Sequence, residues 1–329
     1  MPYNICEKEL MIMTQYLAMD FGGTFVKYAL MDDTAAILYR GQVKAPLEST
    51  EAVVRTAGEL FARWRDQVSG VAISMPGVLD SDSGYAYSAG AYNRVLKEMN
   101  IFELLAPVIT VPMALENDAK AAVLAEAWKG ALQDVRCGAA VILGSGVGGG
   151  IIMDGKLQKG GHFAAGELSG LLMHAGGYDR RTMSGYTSST SSLLRMVAEA
   201  RGMRPAQFEI SGFMNDEEPD PSLPIYTGID VFRWIDEGEP QTLQAYRQWL
   251  QNIVMVIFNL KMIVDPEKIV IGGGVSRNPR LLQDLQEEYD KAAEMVEPFG
   301  MPHAELALCH YTSDANLVGA LYNWKLHYE

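Results

Sequence analysis

Two glycine-rich turns, each at the end of a short apolar run, carry the residues best suited to chemistry in this chain. The first is Leu17-Ala-Met-Asp20-Phe-Gly22-Gly23-Thr24; the second is Ala139-Ala-Val-Ile-Leu-Gly144-Ser145-Gly146-Val-Gly148-Gly149-Gly150. Each reads as a β-strand running into a loop whose backbone N–H groups are not covered by side chains, a surface that can cradle phosphate. Between them stands Glu116-Asn117-Asp118. Two phosphate cradles with a carboxylate between them are the layout of a phosphotransferase: the loops grip a phosphate chain, and the carboxylate takes a proton from the acceptor.

Each residue in this set has a plainer reading beside the chemical one. Asp20 could hold Mg²⁺, usually through water, since Mg²⁺ keeps part of its hydration shell. The glycines at 22 and 23 allow close backbone approach, Thr24 adds a hydroxyl, and Lys27 offers a positive charge unless strand alternation turns it away. The same segment also suits an ordinary hairpin turn. Gly144-Ser145-Gly146 lacks the Gly-Lys-Ser/Thr of a P-loop, and a strand rather than a helix follows, so it is not a dinucleotide fingerprint. Asp118 is the candidate general base, and its alternative role is to cap the helix that begins after it. Asn117 offers a donor and an acceptor, as a sugar requires, and Glu167 an acceptor; the plain alternative for Glu167 is an exposed surface residue. Gly90 and Asn93, in the polar loop Gly90-Ala-Tyr-Asn93, are further sugar contacts. His162 and His174 have no cysteine nearby and do not make a zinc site.

The elements that must position these residues follow from apolar spacing. Residues 16–19, Lys27–Met31 and Ile37–Lys44 read as an antiparallel meander, residues 50–66 as a helix, Ser69–Ser74 as a buried strand ending at Pro76-Gly77, and Ile109–Met113 as another strand. A helix over Ala119–Trp128 follows Asp118. In the second half, Ala139–Leu143 and Gly148–Met153 pair across the second turn. Residues 160–192, rich in Gly, Ser and Thr, read as irregular and cleft-lining, with a helical stretch beginning over Leu193–Arg201. Thr242–Ile263 is a long helix with one apolar face. Lys268–Ile271 leads into a third glycine turn at Gly272-Gly273-Gly274, followed by a helix over Pro279–Met295, a strand at Leu306–Cys309 and a helix over Asp314–Leu326. Each half thus has a meander followed by alternating helices and strands: an α/β fold with a mixed sheet, duplicated.

Composition narrows the function classes. With 329 residues, two domains are expected. A net charge of −14, from 27 basic and 41 acidic residues, argues against general nucleic-acid binding. No apolar run reaches the roughly 20 residues of a membrane span, and residues 1–15 lack the marks of a secretory signal; they are expected to be a disordered leader. Cys6, Cys137 and Cys309 form no C-x-x-C pair, which fits small core residues in a reducing cytoplasm. The acidic run Asp216-Glu-Glu-Pro-Asp220 reads as a solvated loop.

With these residues in order, the chain resembles a sugar kinase of the ROK family (repressors, open reading frames, kinases), within the actin–hexokinase ATPase fold. The likeness runs from Tyr16 to Trp324. It rests on Asp20-Phe-Gly-Gly-Thr24, Pro76-Gly77, Glu116-Asn-Asp-Ala-Lys-Ala-Ala122, Gly144-Ser-Gly-Val-Gly-Gly-Gly150, Gly166-Glu167 and Ile271-Gly-Gly-Gly-Val275. The resemblance implies duplicated actin-like (ribonuclease H-like) ATPase domains with mixed five-stranded sheets and a cleft between the lobes. The small lobe would comprise 16–118 with 313–329, and the large lobe 119–312. ATP and Mg²⁺ would be the cofactors. Asp20, Gly22, Gly23 and Thr24 would meet phosphate and Mg²⁺, Gly144, Ser145 and Gly146 the ATP phosphates, and Gly273 and Gly274 the nucleoside. Asp118 would act on the sugar 6-hydroxyl. A cytoplasmic homodimer with a small-molecule sugar substrate, and no nucleic-acid or membrane partner, is implied.

The departures from the family pattern point to a subgroup. The usual Glu-x-Gly-His reads Glu167-Leu-Ser-Gly170 here, and no cysteine-rich zinc segment follows. The family's second acidic sugar residue has no counterpart, its place falling near Ser189. Zinc is expected to be absent. This pattern is similar to β-glucoside kinases, because loss of the histidine would open space near the sugar C1 and C2 hydroxyls. Glucose or a β-glucoside is therefore the leading expectation, with another hexose or an N-acetylhexosamine as the alternative. Two readings of another class stand beside it: a sugar-responsive regulator, and a sugar-binding protein without catalysis. The regulator would need a winged-helix domain, for which about fifteen residues before the first strand leave no room.

Overall fold

The computed structural model describes residues 14–210, 220 and 222–329. The acidic run at 216–220 and Cys6 lie outside these residues, Asp220 excepted. The chain divides into two compact units, one running up to Asp118 and taking in Ala320–Glu329, the other spanning Ala119–Gly319.

The first unit opens with β1 (Gln15–Phe21), β2 (Phe25–Asp32) and β3 (Ile37–Lys44). β1 is mostly apolar and is buried from Tyr16 to Phe21, as suits the centre of the sheet. β3 has no buried residue, only half-buried and exposed ones, and lies at the edge. Ser49 then caps α1 (Thr50–Ala62), its side chain accepting from Ala52 N at 3.2 Å, and α1 turns Ala52, Val53, Ala57, Leu60 and Phe61 inward. β4 (Val68–Met75) pairs in parallel with β1. A small antiparallel sheet follows, with β5 (Leu79–Asp80), β6 (Tyr85–Ala86) and β7 (Met99–Asn100), together with α2 (Asn93–Leu96) and α3 (Ile101–Leu105). β8 (Met113–Asn117) completes a five-stranded sheet of order β3-β2-β1-β4-β8.

The strand expected over Ile109–Met113 is corrected by this register. Residues 109–112 are outside the sheet, and the strand starts at Met113 and runs through Glu116 and Asn117. Pro112 lacks an N–H and cannot join a ladder as an inner residue; its carbonyl accepts instead from Val71 N and from the Trp324 indole. The consequence matters for the site, because Glu116 and Asn117 sit on a rigid strand rather than on a loop after one.

The second unit repeats the plan. After α4 (Asp118–Lys129) come β9 (Cys137–Leu143), β10 (Val147–Met153) and β11 (Lys156–Leu157). Then follow α5 (Ser184–Thr187), α6 (Thr190–Ala200), α7 (Gly228–Asp236) and α8 (Pro240–Val264). β12 (Lys268–Gly272), α9 (Leu281–Ala293), β13 (Glu305–Leu308) and α10 (Ala315–Tyr328) close the chain, α10 ending within the first unit. The sheet order β11-β10-β9-β12-β13 matches the first sheet strand for strand, with two antiparallel pairings followed by two parallel ones. α8 buries Tyr246, Trp249, Leu250, Ile253, Val254, Ile257 and Leu260 along one face, and stops where Asp265 turns left-handed before Pro266.

Residues 160–183 are irregular, as expected, holding short 3₁₀ turns, whereas 184–192 hold α5 and the start of α6, and Thr182, Ser184, Ser188, Ser189, Ser191 and Ser192 are buried. The hydroxyls of Thr182, Ser184, Ser189 and Ser192 find backbone partners, which offsets the cost of burying them. Ser184 Oγ donates to Leu168 O, Ser192 Oγ donates to Ser189 O, and the Trp249 indole donates to Ser189 O. Cys137 and Cys309 are free thiols, and burial pushes both above the ordinary thiol range. Among the described residues, no helix is long and apolar enough to cross a membrane.

Candidate active site

In the first unit, the ends of β1, β4 and β8 bring the candidate residues to one edge of the sheet. Asp20 lies near the end of β1, opposite Lys27 on β2 and Ser74 on β4. Its carboxylate is buried at 6% exposure, and Oδ1 accepts from Ser74 Oγ at 3.0 Å. The turn behind it is built by Gly22 N, which donates to Asp20 O and Phe25 O, both at 3.1 Å. Gly23 and Thr24 are exposed. Tyr92 locks this turn from the side, its hydroxyl donating to Gly22 O at 2.9 Å while the ring is buried edge-on to Phe21. Burial, and then the charge of Asp20, raise the Tyr92 phenol above its ordinary value, so it stays a neutral donor.

The Gly90–Asn93 loop, expected to meet sugar, has a structural role. Tyr92 supports the Gly22 turn, and Asn93 Oδ1 accepts from Ala89 N at 2.6 Å, with Asn93 exposed. Gly90 packs against Pro76 with a left-handed backbone. Asn117 joins the same cluster: its Nδ2 donates to Gly77 O at 2.9 Å, and its backbone N–H donates to Glu116 Oε1 at 2.8 Å. Glu116 and Asn117 are both buried, and the next residue, Asp118, is half-exposed at the first position of α4. A carboxylate there is favoured by the helix dipole.

In the second unit, the turn Gly144-Ser145-Gly146 is closed by Gly144 N donating to Gly146 O at 3.0 Å, with Ser145 exposed at its tip. Two hydroxyl residues tie it down. Thr190 donates through N to Gly144 O at 2.9 Å and through Oγ1 to Leu143 O at 3.2 Å. Ser169 Oγ receives Val147 N–H at 2.8 Å and donates to Val147 O at 3.1 Å. The remaining glycines of the motif serve packing. A Cβ at Gly149 would stand 2.5 Å from Leu168, and one at Gly148 would stand 2.7 Å from Ala119. The third turn lies beside the second because β12 pairs with β9. Gly273 there has φ +96, and a Cβ would stand 2.0 Å from Leu143 O, so no other residue fits. Gly274 is exposed.

Glu167 ends up half-exposed, with Oε1 paired to Lys120 Nζ at 2.8 Å. His162 and His174 are both exposed, and His174 Nδ1 accepts from Gly176 N. Among the described residues, no group of three or more His, Cys, Asp or Glu side chains could hold a metal ion. Mg²⁺ fits the Asp20 site nonetheless, since it is commonly bound by one or two carboxylates together with substrate phosphates and water, and Asp20 stands beside a turn whose Gly23 and Thr24 are exposed. A broad concavity between α6 and α8, lined by residues such as Met196, Glu199 and Gln248, contains none of the candidate residues.

Comparison with known proteins decides the lineage: the ROK family matches residues 16–326. The chain belongs to the ROK family. It is 27% identical over 309 residues to a β-glucoside kinase of Listeria innocua serovar 6a, covering 93% of this chain and 96% of the relative. Among solved structures it is similar to a ROK family protein from Streptococcus pneumoniae in complex with sucrose, with a TM-score of 0.80 and 25% identity over 95% of this chain and 99% of the other. A ROK family glucokinase from Streptomyces griseus in complex with glucose and AMPPNP aligns with a TM-score of 0.75 at 22% identity, over 93% and 98% of the two chains. The fold of this ROK chain is the duplicated α/β fold of the actin-like ATPases.

Proposed function

We propose that the chain is an ATP- and Mg²⁺-dependent kinase that phosphorylates the 6-hydroxyl of glucose or of a β-glucoside. The observation that carries this reading is Asp118, a half-exposed carboxylate at the first turn of α4, directly after the buried pair Glu116 and Asn117. A sugar hydroxyl is a weak nucleophile, and a carboxylate that accepts its proton supplies the help the reaction needs. The hydroxyl oxygen forms a bond to the γ-phosphorus, the bond from that phosphorus to the β-phosphate oxygen breaks, and the proton passes to Asp118. Asn117, Glu167 and the 90–93 loop orient the sugar. The turn Gly144-Ser145-Gly146 holds ATP phosphates, with the Gly144 N–H closing the turn and Ser145 exposed at its tip, and Gly273 and Gly274 lie against the nucleoside.

Asp20 would hold Mg²⁺ through water, which neutralises charge that develops on the phosphates. Asp20→Asn should lower kcat by about 10- to 100-fold and raise the Mg²⁺ concentration needed for half-maximal rate, the size of effect expected for outer-shell metal partners. A magnesium titration of the initial rate measures it.

The glucoside preference is supported at Gly170, where the usual histidine of the family motif is absent. A Cβ built at Gly170 meets no heavy atom within 4 Å. The relatives named β-glucoside kinases agree with this reading. Gly170→His should depress kcat/KM for cellobiose relative to glucose by about tenfold or more, within the range of steric discrimination by a pocket. A rate ratio unchanged by the substitution would leave a kinase for free glucose. The reading also carries the expectation of a homodimer, which light scattering on the purified chain tests.

A further inference from the structure

We infer that Lys120 is a positioning residue for sugar binding: it holds the Glu167 carboxylate in place from beneath. This rests on the reading of Glu167 as a sugar contact. Lys120 is 2% exposed, which is rare for a lysine and costly unless its charge is paired and hydrogen-bonded. Its ammonium donates to Glu167 Oε1 at 2.8 Å and to Phe163 O at 2.9 Å. Phe163 has φ +58, a left-handed backbone that a phenylalanine adopts only where its surroundings require it. Lys120 therefore ties down both ends of the short segment 163–167, one end through a strained carbonyl and the other through the carboxylate.

The geometry is asymmetric in a useful way. The lysine is fully enclosed, whereas the Glu167 side chain is 36% exposed. One carboxylate oxygen is thus committed to the ammonium, and the group as a whole still reaches solvent and ligand. A free glutamate on a glycine-rich segment would lose rotamer entropy on binding a sugar; one already clamped has lost it on folding. Lys120 stands two residues after Asp118 on the first turn of α4. The same turn therefore carries the candidate base and the anchor of a candidate sugar ligand.

The test is a double-mutant cycle in the whole chain, with glucose and cellobiose as probes and Mg·ATP as donor. Lys120→Met should raise the sugar KM about tenfold, leaving equilibrium ATP affinity unchanged, and Glu167→Gln should raise the sugar KM by at least as much. Because Lys120 acts through Glu167, the double variant should be no worse than Glu167→Gln alone. Lys120→Gln, which keeps an N–H donor, should recover part of the loss, and it replaces Lys120→Met in the cycle if the methionine variant does not fold. Additive losses in the double variant, or a wild-type sugar KM in Lys120→Met, overturn the inference. A wild-type KM in Glu167→Gln instead removes the sugar role of Glu167 on which it rests.

Discussion

Asp118→Asn is expected to lower kcat by about 10²- to 10⁴-fold, the contribution typical of a positioned general base, while the protein stays folded and binds sugar and ATP as before. The asparagine keeps the shape of the side chain and still suits the start of a helix. What it loses is the capacity to take a proton. Because that loss is felt only in the transition state, kcat and kcat/KM should fall together. The competing role for Asp118, as a helix-starting carboxylate, makes a different prediction: a stability loss of up to about 1 kcal/mol with near-normal turnover. Steady-state kinetics and a thermal melt on the same preparation separate the two. Glu116 and Asn117 make the outcome sharp, since they are buried on β8 and fix the backbone that carries Asp118.

The second large effect concerns a buried carboxylate with no part in the reaction. Glu126, on α4, is 1% exposed. Its Oε2 accepts from Ala131 N at 2.8 Å and His310 N at 3.0 Å, and its Oε1 accepts from Tyr311 N at 2.8 Å. One side chain therefore ends α4 and anchors the segment that leads from β13 to α10. Its charge, after burial, is also the second cause holding the Cys309 thiol and the Tyr311 phenol above their ordinary values. Glu126→Ala would leave three backbone donors without their acceptor, and a loss of about 3–5 kcal/mol is expected, in line with breaking a buried charged network. Glu126→Gln should recover little, because its NH₂ must face one of the same N–H donors. Urea unfolding followed by tryptophan fluorescence would show the transition moving to lower denaturant. A shift below about 1 kcal/mol would mean that water or a neighbour replaces the carboxylate.

The parts of this protein that could be read from its residues were those with strong local rules. The meander β1–β3, the glycine turns and the buried face of α8 all follow from apolar spacing and glycine chemistry, and all appear in the structure. What stayed hidden was set by distant partners. β5, β6 and β7 are two residues each and exist only through pairing, so they leave no periodic trace. The strand placed over Ile109–Met113 slid to Met113–Asn117 because Pro112 bars the ladder. The serines of 182–192 read as a loop, yet they are buried because backbone carbonyls meet them. α7 did carry a signal, since Thr227 and Asp230 form a capping box ahead of its apolar face, but Gly228 masked it.

At the site, Asp20 and Asp118 stand at a strand end and a helix start, as expected, whereas Asn117 lies on β8 rather than in the loop after a strand. The supports around them were less visible. Tyr92 beneath Gly22, Ser169 on Val147 and Thr190 on Leu143 and Gly144 depend on pairings far apart in the chain. Lys120 was legible in hindsight: a lysine among Ala119, Ala121, Ala122 and Val123 sits on an apolar stretch of helix and requires a buried partner.

The most direct test of the central claim is to incubate the purified chain with Mg·ATP and a sugar panel, following ADP release and the sugar product together. The panel is glucose, cellobiose, gentiobiose, salicin, N-acetylmannosamine and N-acetylglucosamine. The expected result is one ADP formed per 6-phosphorylated sugar, with glucose or a β-glucoside turned over fastest and Asp118→Asn nearly silent. A folded chain that binds ATP and releases no ADP with any of these sugars would contradict it.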